Sequence, residues 1–207
     1  MAAPSENQLR VACEELADRD AALARAYAEV DLPAWRDADA SYQTLARIVV
    51  YQLISTKAAD AIWSRILERY ERVTAKAVMQ DDQEALRASG LSRPKLAHLN
   101  SIAAAIESGA LDLNALGEMP IDDARKSLLA VKGIGPWSAD TFLMNAIGHL
   151  DAFPAGDVGL IEAHRRLSDL QVRLTAKAFS TEAERWRPYR GVAAHLLYDW
   201  YNSTRNL

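Results

Sequence analysis

Residues 128–157 read LLAVKGIGPWSADTFLMNAIGHLDAFPAGD. Two apolar, helix-like stretches are joined there by only Gly133-Ile134-Gly135-Pro136. Nothing else in the chain narrows its options so far. Two glycines in so short a link open backbone angles closed to other residues and let another chain approach closely. Pro136 suits the first turn of the helix that follows. The stretch predicts a tight helix–hairpin–helix over residues 121–148, with Ile134 buried between the helices. The N–H groups of the turn face outward, and such a concavity binds phosphate without side-chain charge.

The rest of the chain is consistent with helices. Half of the 207 residues are hydrophobic. Alanine and aliphatics dominate, and β-branched runs are few, which favours an α-rich protein. Helical patterns cover Ser5 to Val30 as one helix and Ser41 to about Ala59, with Ser55-Thr56 as an end or kink. Others cover residues 58–70, Thr74 to Met79, Asp81 to Ser89, and Arg93 to Ser108, with Ser92 as N-cap. Asp112 to Met119 reads as a short helix or loop. Pro120 to Val131 and Trp137 to about Gly148 form the hairpin. Val158 to Asp169, Thr181 to Trp186 and Pro188 to Tyr201 complete the chain. No strand alternation of useful length appears. The expected fold is an all-α bundle of about ten short helices, with short connections between antiparallel neighbours.

Composition excludes several functions. With a formal charge of −4, the field of the whole chain does not attract polyanions. Nucleic-acid binding must then come from a local patch or from backbone N–H groups. The single cysteine, Cys13, leaves no internal disulfide, Cys₄ zinc site or Cys₄ iron–sulfur cluster. A reducing, cytoplasmic setting is expected. The N-terminus is acidic and has no apolar signal region, and the apolar run Ile48–Ile54, interrupted by Gln52, is far too short to span a bilayer. His98, His149, His164 and His195 show no metal-ligand spacing and read as surface or packing residues.

Three charged groups stand near the turn in sequence: Lys132 beside it, and Arg125 and Lys126 one helix back. Arg93 and Lys95 join them if their helix packs alongside. Asp157 closes the stretch just before a helix. There it reads both as an N-cap, worth about 1 kcal/mol, and as an ionised carboxylate able to stabilise a developing cation.

With these residues in view, the chain resembles the helix–hairpin–helix, Gly/Pro-rich, aspartate-containing (HhH-GPD) superfamily of base-excision DNA glycosylases, most nearly its 3-methyladenine DNA glycosylase II (AlkA-like) branch. Four ordered segments carry the likeness: the hairpin with its downstream Phe-Pro and aspartate, ARIVVYQLISTKAADAIWSRI, ASGLSRPKLAHLNSIA and WRPYRGVAAHLLYDW. The resemblance implies a single glycosylase unit over residues 1–207, made of two helical subdomains around a cleft, without the amino-terminal β-domain of some relatives.

It also implies roles. Asp157 matches the catalytic aspartate. Trp137 stands where bifunctional relatives carry a Schiff-base lysine, so a β-lyase step is not expected; its ring suits stacking on a flipped, alkylated base. Tyr198 and Thr141 fall at base-pocket positions. Leu53 matches the residue that wedges into the base stack. Gln52 stands beside it, where many relatives carry two glutamines. Gly133, Ile134, Gly135 and Lys132 match the DNA-gripping turn, with Lys132 replacing a commoner proline. Backbone carbonyls of Leu129, Val131 and Gly133 match a monovalent-cation site; no other cofactor is implied.

The expected function is monofunctional excision of alkylated purines of the 3-methyladenine type from damaged double-stranded DNA, by a monomer without membrane association. A glycosylase for deaminated bases and a non-catalytic helix–hairpin–helix DNA-binding protein remain alternatives.

Overall fold

The computed structural model describes residues 3–204. In chain order the helices are α1 (Glu6–Arg19), α2 (Ala21–Val30), α3 (Tyr42–Tyr51), α4 (Thr56–Arg69), α5 (Ala75–Gln80), α6 (Gln83–Arg87) and α7 (Arg93–Glu107). After a 3₁₀ turn at Ala115–Glu118 come α8 (Ile121–Leu129), α9 (Pro136–Asn145), α10 (Val158–Leu167) and α11 (Ala176–Glu182). A second 3₁₀ turn at Ala183–Trp186 precedes α12 (Arg190–Thr204). Among the described residues the chain is all helical, with twelve α-helices and no strand, rather than about ten. None of these helices is long and apolar enough to cross a membrane.

The helix boundaries differ from the expected ones at breaks and caps that apolar periodicity does not reveal, and one such break adds a helix. The expected single helix from Ser5 to Val30 is two, because Asp20 leaves the helical region (φ −145°, ψ 113°). Its Oδ1 accepts from the N–H groups of Ala22 (2.8 Å) and Leu23 (3.2 Å), which starts α2. The helix expected from Ser41 stops at Tyr51, and α4 restarts behind the Ser55 cap. The hairpin's second helix ends at Asn145, short of Gly148, which sits at φ 74°. The helix expected from Thr181 begins earlier, behind the Thr175 cap, and tightens into the 3₁₀ turn.

The helices group into two compact units. One takes the chain up to Asp37 and from Leu143 on; the other takes Ala38–Phe142. In the first, α12 is the central helix. It contacts α1, α2, α10 and the second 3₁₀ turn. Gly191 through Leu197 are buried without interruption, as expected of a helix covered on every side. Beside it Phe153, Phe179 and Trp186 meet edge to face, with centroids 5.1–5.8 Å apart. Each such contact adds about 0.5–1.5 kcal/mol beyond area burial. The Trp186 indole N–H donates to Asp20 Oδ2 at 2.7 Å, and Arg185 reaches the same oxygen at 2.6 Å. Asp20 therefore caps α2, satisfies a buried indole and pairs with an arginine at once.

In the second unit α7 is the axis, packed against α3, α5 and α6. The Tyr42 hydroxyl donates to the Leu99 carbonyl (3.1 Å), which fastens α3 to α7. The hairpin helices α8 and α9 are tied by a bidentate Arg125–Asp140 ion pair at 2.6 and 3.2 Å. Ile134 is buried, as the turn requires. Gly133 sits at φ 102° against α7. A Cβ there would lie 2.4 Å from His98 Cβ and 3.0 Å from its Cα.

Two consequences are measurable. Asp20→Ala strands the Trp186 N–H and the first turn of α2, and should cost about 3 kcal/mol in denaturant unfolding at neutral pH. Burial alone would push the Asp20 carboxyl up, but the bonds from Trp186, Arg185, Leu23 and Ala22 hold it below its ordinary value. Its stabilisation is therefore complete above the ordinary carboxylate range and is lost as pH falls, so the gap between wild type and variant should begin to narrow below about pH 4. Gly133→Ala combines backbone strain with a clash against rigid atoms and should cost about 3 kcal/mol or more. Adding His98→Gly should recover part of that loss, leaving the strain.

Candidate active site and nucleic-acid interface

The residues expected to grip DNA lie in the Ala38–Phe142 unit. The Ile134 N–H closes the turn on the Val131 carbonyl (3.1 Å). Among the described residues, the N–H groups of Gly133 and Gly135 donate to no backbone carbonyl. That leaves both N–H groups without a backbone partner, as the anion-binding turn expected from the glycine spacing would require. Lys132 and Lys126 are exposed beside it.

Other charges expected to help are already engaged. Arg125 is spent on Asp140. Lys95 donates its ammonium to the Val50 carbonyl at 2.6 Å, and burial pushes its pKa down. It works as a cap for the end of α3. Arg93 stays exposed.

Leu53 is fully exposed, at 103% of its reference area, and has a left-handed backbone (φ 57°). An apolar side chain held in water on a strained turn is what a wedge requires. Gln52 points inward instead. Its Nε2 donates to Ser138 Oγ at 2.6 Å and to the Gly133 carbonyl at 3.3 Å. Trp137, on the first turn of α9, is half-buried. One turn on, the Thr141 hydroxyl oxygen is buried and has no hydrogen-bond partner.

The candidate catalytic group lies in the other unit. Asp157 is the N-cap of α10, and its Oδ1 accepts from the N–H groups of Gly159 (2.8 Å) and Leu160 (3.1 Å). The carboxylate thus faces the N-terminal end of α10. Tyr198, on α12, donates its hydroxyl to Asp157. Loss of hydration pushes the Tyr198 phenol well above its ordinary pKa, and the adjacent charge of Asp157 adds to the effect. The phenol therefore stays a hydrogen-bond donor. The Arg36 guanidinium lies over the Tyr198 ring, 4.2 Å from its centroid. Asp157 and Tyr198 are thus brought together directly, 41 residues apart in sequence.

The segment carrying Asp157 is anchored by residues whose role sequence patterning does not reveal. The Gly191 N–H donates to the Leu150 carbonyl at 2.7 Å. A Cβ on Gly191 would meet the carbonyl oxygens of Leu150, His149 and Ala152 at 2.8–3.1 Å, so only glycine fits. Asp151 receives Arg190 and Arg187. His195 is fully buried, donates from Nδ1 to the Gly191 carbonyl (2.9 Å) and stacks on Trp35 with centroids 4.0 Å apart. Burial lowers its pKa to about 4, so it is neutral at physiological pH. His98 and His164 also pack, against Gly133 and against Phe179 and Trp186 respectively. The only textual sign of this anchor is the Tyr-Arg-Gly sequence that opens α12.

The carbonyls implied as a cation site suit one chemically. The Val131 and Gly133 oxygens each take one hydrogen bond, from Ile134 and Gln52, and each keeps a second lone pair. Backbone carbonyls without a neighbouring carboxylate are an oxygen set of the kind that coordinates a monovalent cation.

Comparison with known proteins agrees with this architecture. The family model described as HhH-GPD superfamily base excision DNA repair protein matches residues 46–188. DNA-3-methyladenine glycosylase 1 of Schizosaccharomyces pombe is 30% identical over 161 residues, which is 76% of this chain and 71% of that protein. The probable bifunctional transcriptional activator/DNA repair enzyme AlkA of Mycobacterium tuberculosis is 31% identical over 162 residues, 73% of this chain but only 32% of that protein. The chain matches about a third of that relative's length. Among solved structures, the S. pombe 3-methyladenine DNA glycosylase Mag1 in complex with abasic DNA gives a TM-score of 0.84 at 27% identity, covering 90% of this chain and 94% of that one. A DNA-3-methyladenine glycosidase from Bacillus halodurans gives 0.80 at 26% identity, covering 94% and 91%. With its hairpin, its capped aspartate and a family match over most of its length, this chain belongs to the HhH-GPD superfamily of base excision DNA repair proteins.

Proposed function

We propose that the protein is a monofunctional DNA glycosylase that flips an alkylated purine of the 3-methyladenine type out of double-stranded DNA and hydrolyses its N-glycosidic bond. The observation that carries this reading is Asp157, a carboxylate held at a helix N-terminus by two N–H groups and by Tyr198. As the glycosidic bond breaks, the bonding pair leaves with the base and the sugar becomes oxocarbenium-like. A fixed carboxylate stabilises that cation and orients the water that attacks it. The products are free base and an abasic site.

Cationic alkylated bases are good leaving groups, so the site needs no strong general acid. Trp137 supplies a π-face suited to such a base, a contact worth about 0.5–2 kcal/mol. It has no amine to form an imine with the sugar, which supports hydrolysis without β-lyase chemistry. Thr141 offers its hydroxyl nearby on α9. The turn of Lys132, Gly133, Ile134 and Gly135 grips phosphate, and Leu53 fills the space left by the flipped base. Leu129, Val131 and Gly133 would hold a monovalent cation through their carbonyls, bringing positive charge close to that phosphate. We place the protein in the cytoplasm, at the nucleoid when bound to DNA, acting as a monomer.

Incubation with methylated duplex DNA should release methylated purines and leave sites that break only after alkali. Strand cleavage without alkali would refute the monofunctional reading. Asp157→Asn should bind DNA normally and lose base release by about 100-fold or more; full activity in that variant would remove Asp157 from the chemistry. Tyr198→Phe deletes one donor to the carboxylate and keeps the ring. It should lower single-turnover base release by about 10-fold with little change in DNA affinity.

A further inference from the structure

Helix α3 ends at Tyr51, and the chain turns through residues 52–55 into α4. Gln52 leaves the helical region (φ −58°, ψ 130°), and Leu53 then takes its left-handed angle with its side chain in water. Left-handed backbone costs a non-glycine residue about 1–2 kcal/mol, and the exposed leucine adds nothing in return. Such a turn persists only when its surroundings hold it.

Two contacts hold this one. Lys95 fixes the Val50 carbonyl from α7. Gln52 reaches the hairpin itself, with one amide group donating to both Ser138 and Gly133. Ser138 is buried on the first turn of α9, and Gly133 carries one of the two N–H groups offered to phosphate. The residue immediately before the wedge is therefore bonded to the phosphate-gripping turn, and its amide is turned inward rather than toward bases.

We propose that Gln52 is a positioning residue that couples the hairpin's grip on phosphate to insertion of Leu53 into the base stack. This rests on the glycosylase reading for the roles of hairpin and wedge. When the hairpin seats on the backbone, the Gln52 bonds carry Leu53 to a fixed depth and register relative to that phosphate. Without them the hairpin still binds, but the turn relaxes and the wedge is no longer presented. The effect of Gln52 runs through Leu53, not through its own contact with DNA.

The test needs no catalysis. A duplex carrying a tetrahydrofuran abasic analogue opposite 2-aminopurine reports unstacking by fluorescence. Saturating wild-type protein should raise the signal, and Leu53→Ala should abolish most of the rise. Gln52→Ala should reduce the amplitude by about fivefold, and Gln52→Ala with Leu53→Ala should be no worse than Leu53→Ala alone. Ser138→Ala removes the far end of the clamp but leaves Gln52 in place; it should lose about half the amplitude or more. Affinity of Ser138→Ala for undamaged duplex should stay within about threefold of wild type.

A full rise in Gln52→Ala, additive losses in the double variant, or no rise in the wild type would overturn the proposal. So would a normal Ser138→Ala beside a silent Gln52→Ala, which would place Gln52 directly on DNA. Wild-type protein that releases no base from methylated DNA, yet shows this Gln52 dependence, would refute the activity and leave the coupling standing.

Discussion

A helix leaves the N–H groups of its first turn without partners, and a chain divided into many short helices meets that cost at every start. Here the cost is met largely by side chains just ahead of each helix: Ser5, Asp20, Ser41, Ser55, Thr74, Asp82, Ser92 and Thr175 all accept from backbone N–H groups one turn on. Asp157 belongs to the same series. Like Asp20, which also receives Trp186 and Arg185, it takes a further donor from a distant part of the chain, here the Tyr198 hydroxyl of α12. A structural requirement repeated along the chain has at these two positions become a carboxylate held from several sides.

The two units solve different problems. One holds a carboxylate at a helix start and anchors its segment to α12 through the close approach at Gly191 and the arginines on Asp151. The other holds a turn and a strained, exposed leucine. Its rigidity comes from contacts that leave no room for change: His98 packed where a Cβ on Gly133 would stand, and one glutamine amide shared between Ser138 and the turn. In both units a glycine at the point of closest approach brings backbone to within van der Waals distance of its neighbour.

What could be read from sequence was local. Gly-Ile-Gly-Pro requires a tight link, and the buried Ile134 follows from it. The caps at Ser5, Ser92 and Asp157 stand next to the helices they start. The break at Asp20 was not legible, because apolar periodicity runs through it on both sides; it is held by Trp186, 166 residues away. Charge was misleading for the same reason. Arg125 and Lys95 look available to phosphate in the sequence, but folding pairs one with Asp140 and the other with the Val50 carbonyl.

The sequence by itself determined that this chain is all helical, that a glycine hairpin interrupts it and that an aspartate caps the helix downstream, because periodicity, turn chemistry and capping act within a few residues. Only the tertiary structure decided that Tyr198 reaches Asp157, that Gln52 is turned onto the hairpin and that Leu53 is left alone in water. Those outcomes depend on groups 41 to 86 residues apart, whose meeting is set by how helices pack and not by any pattern that a single helix carries.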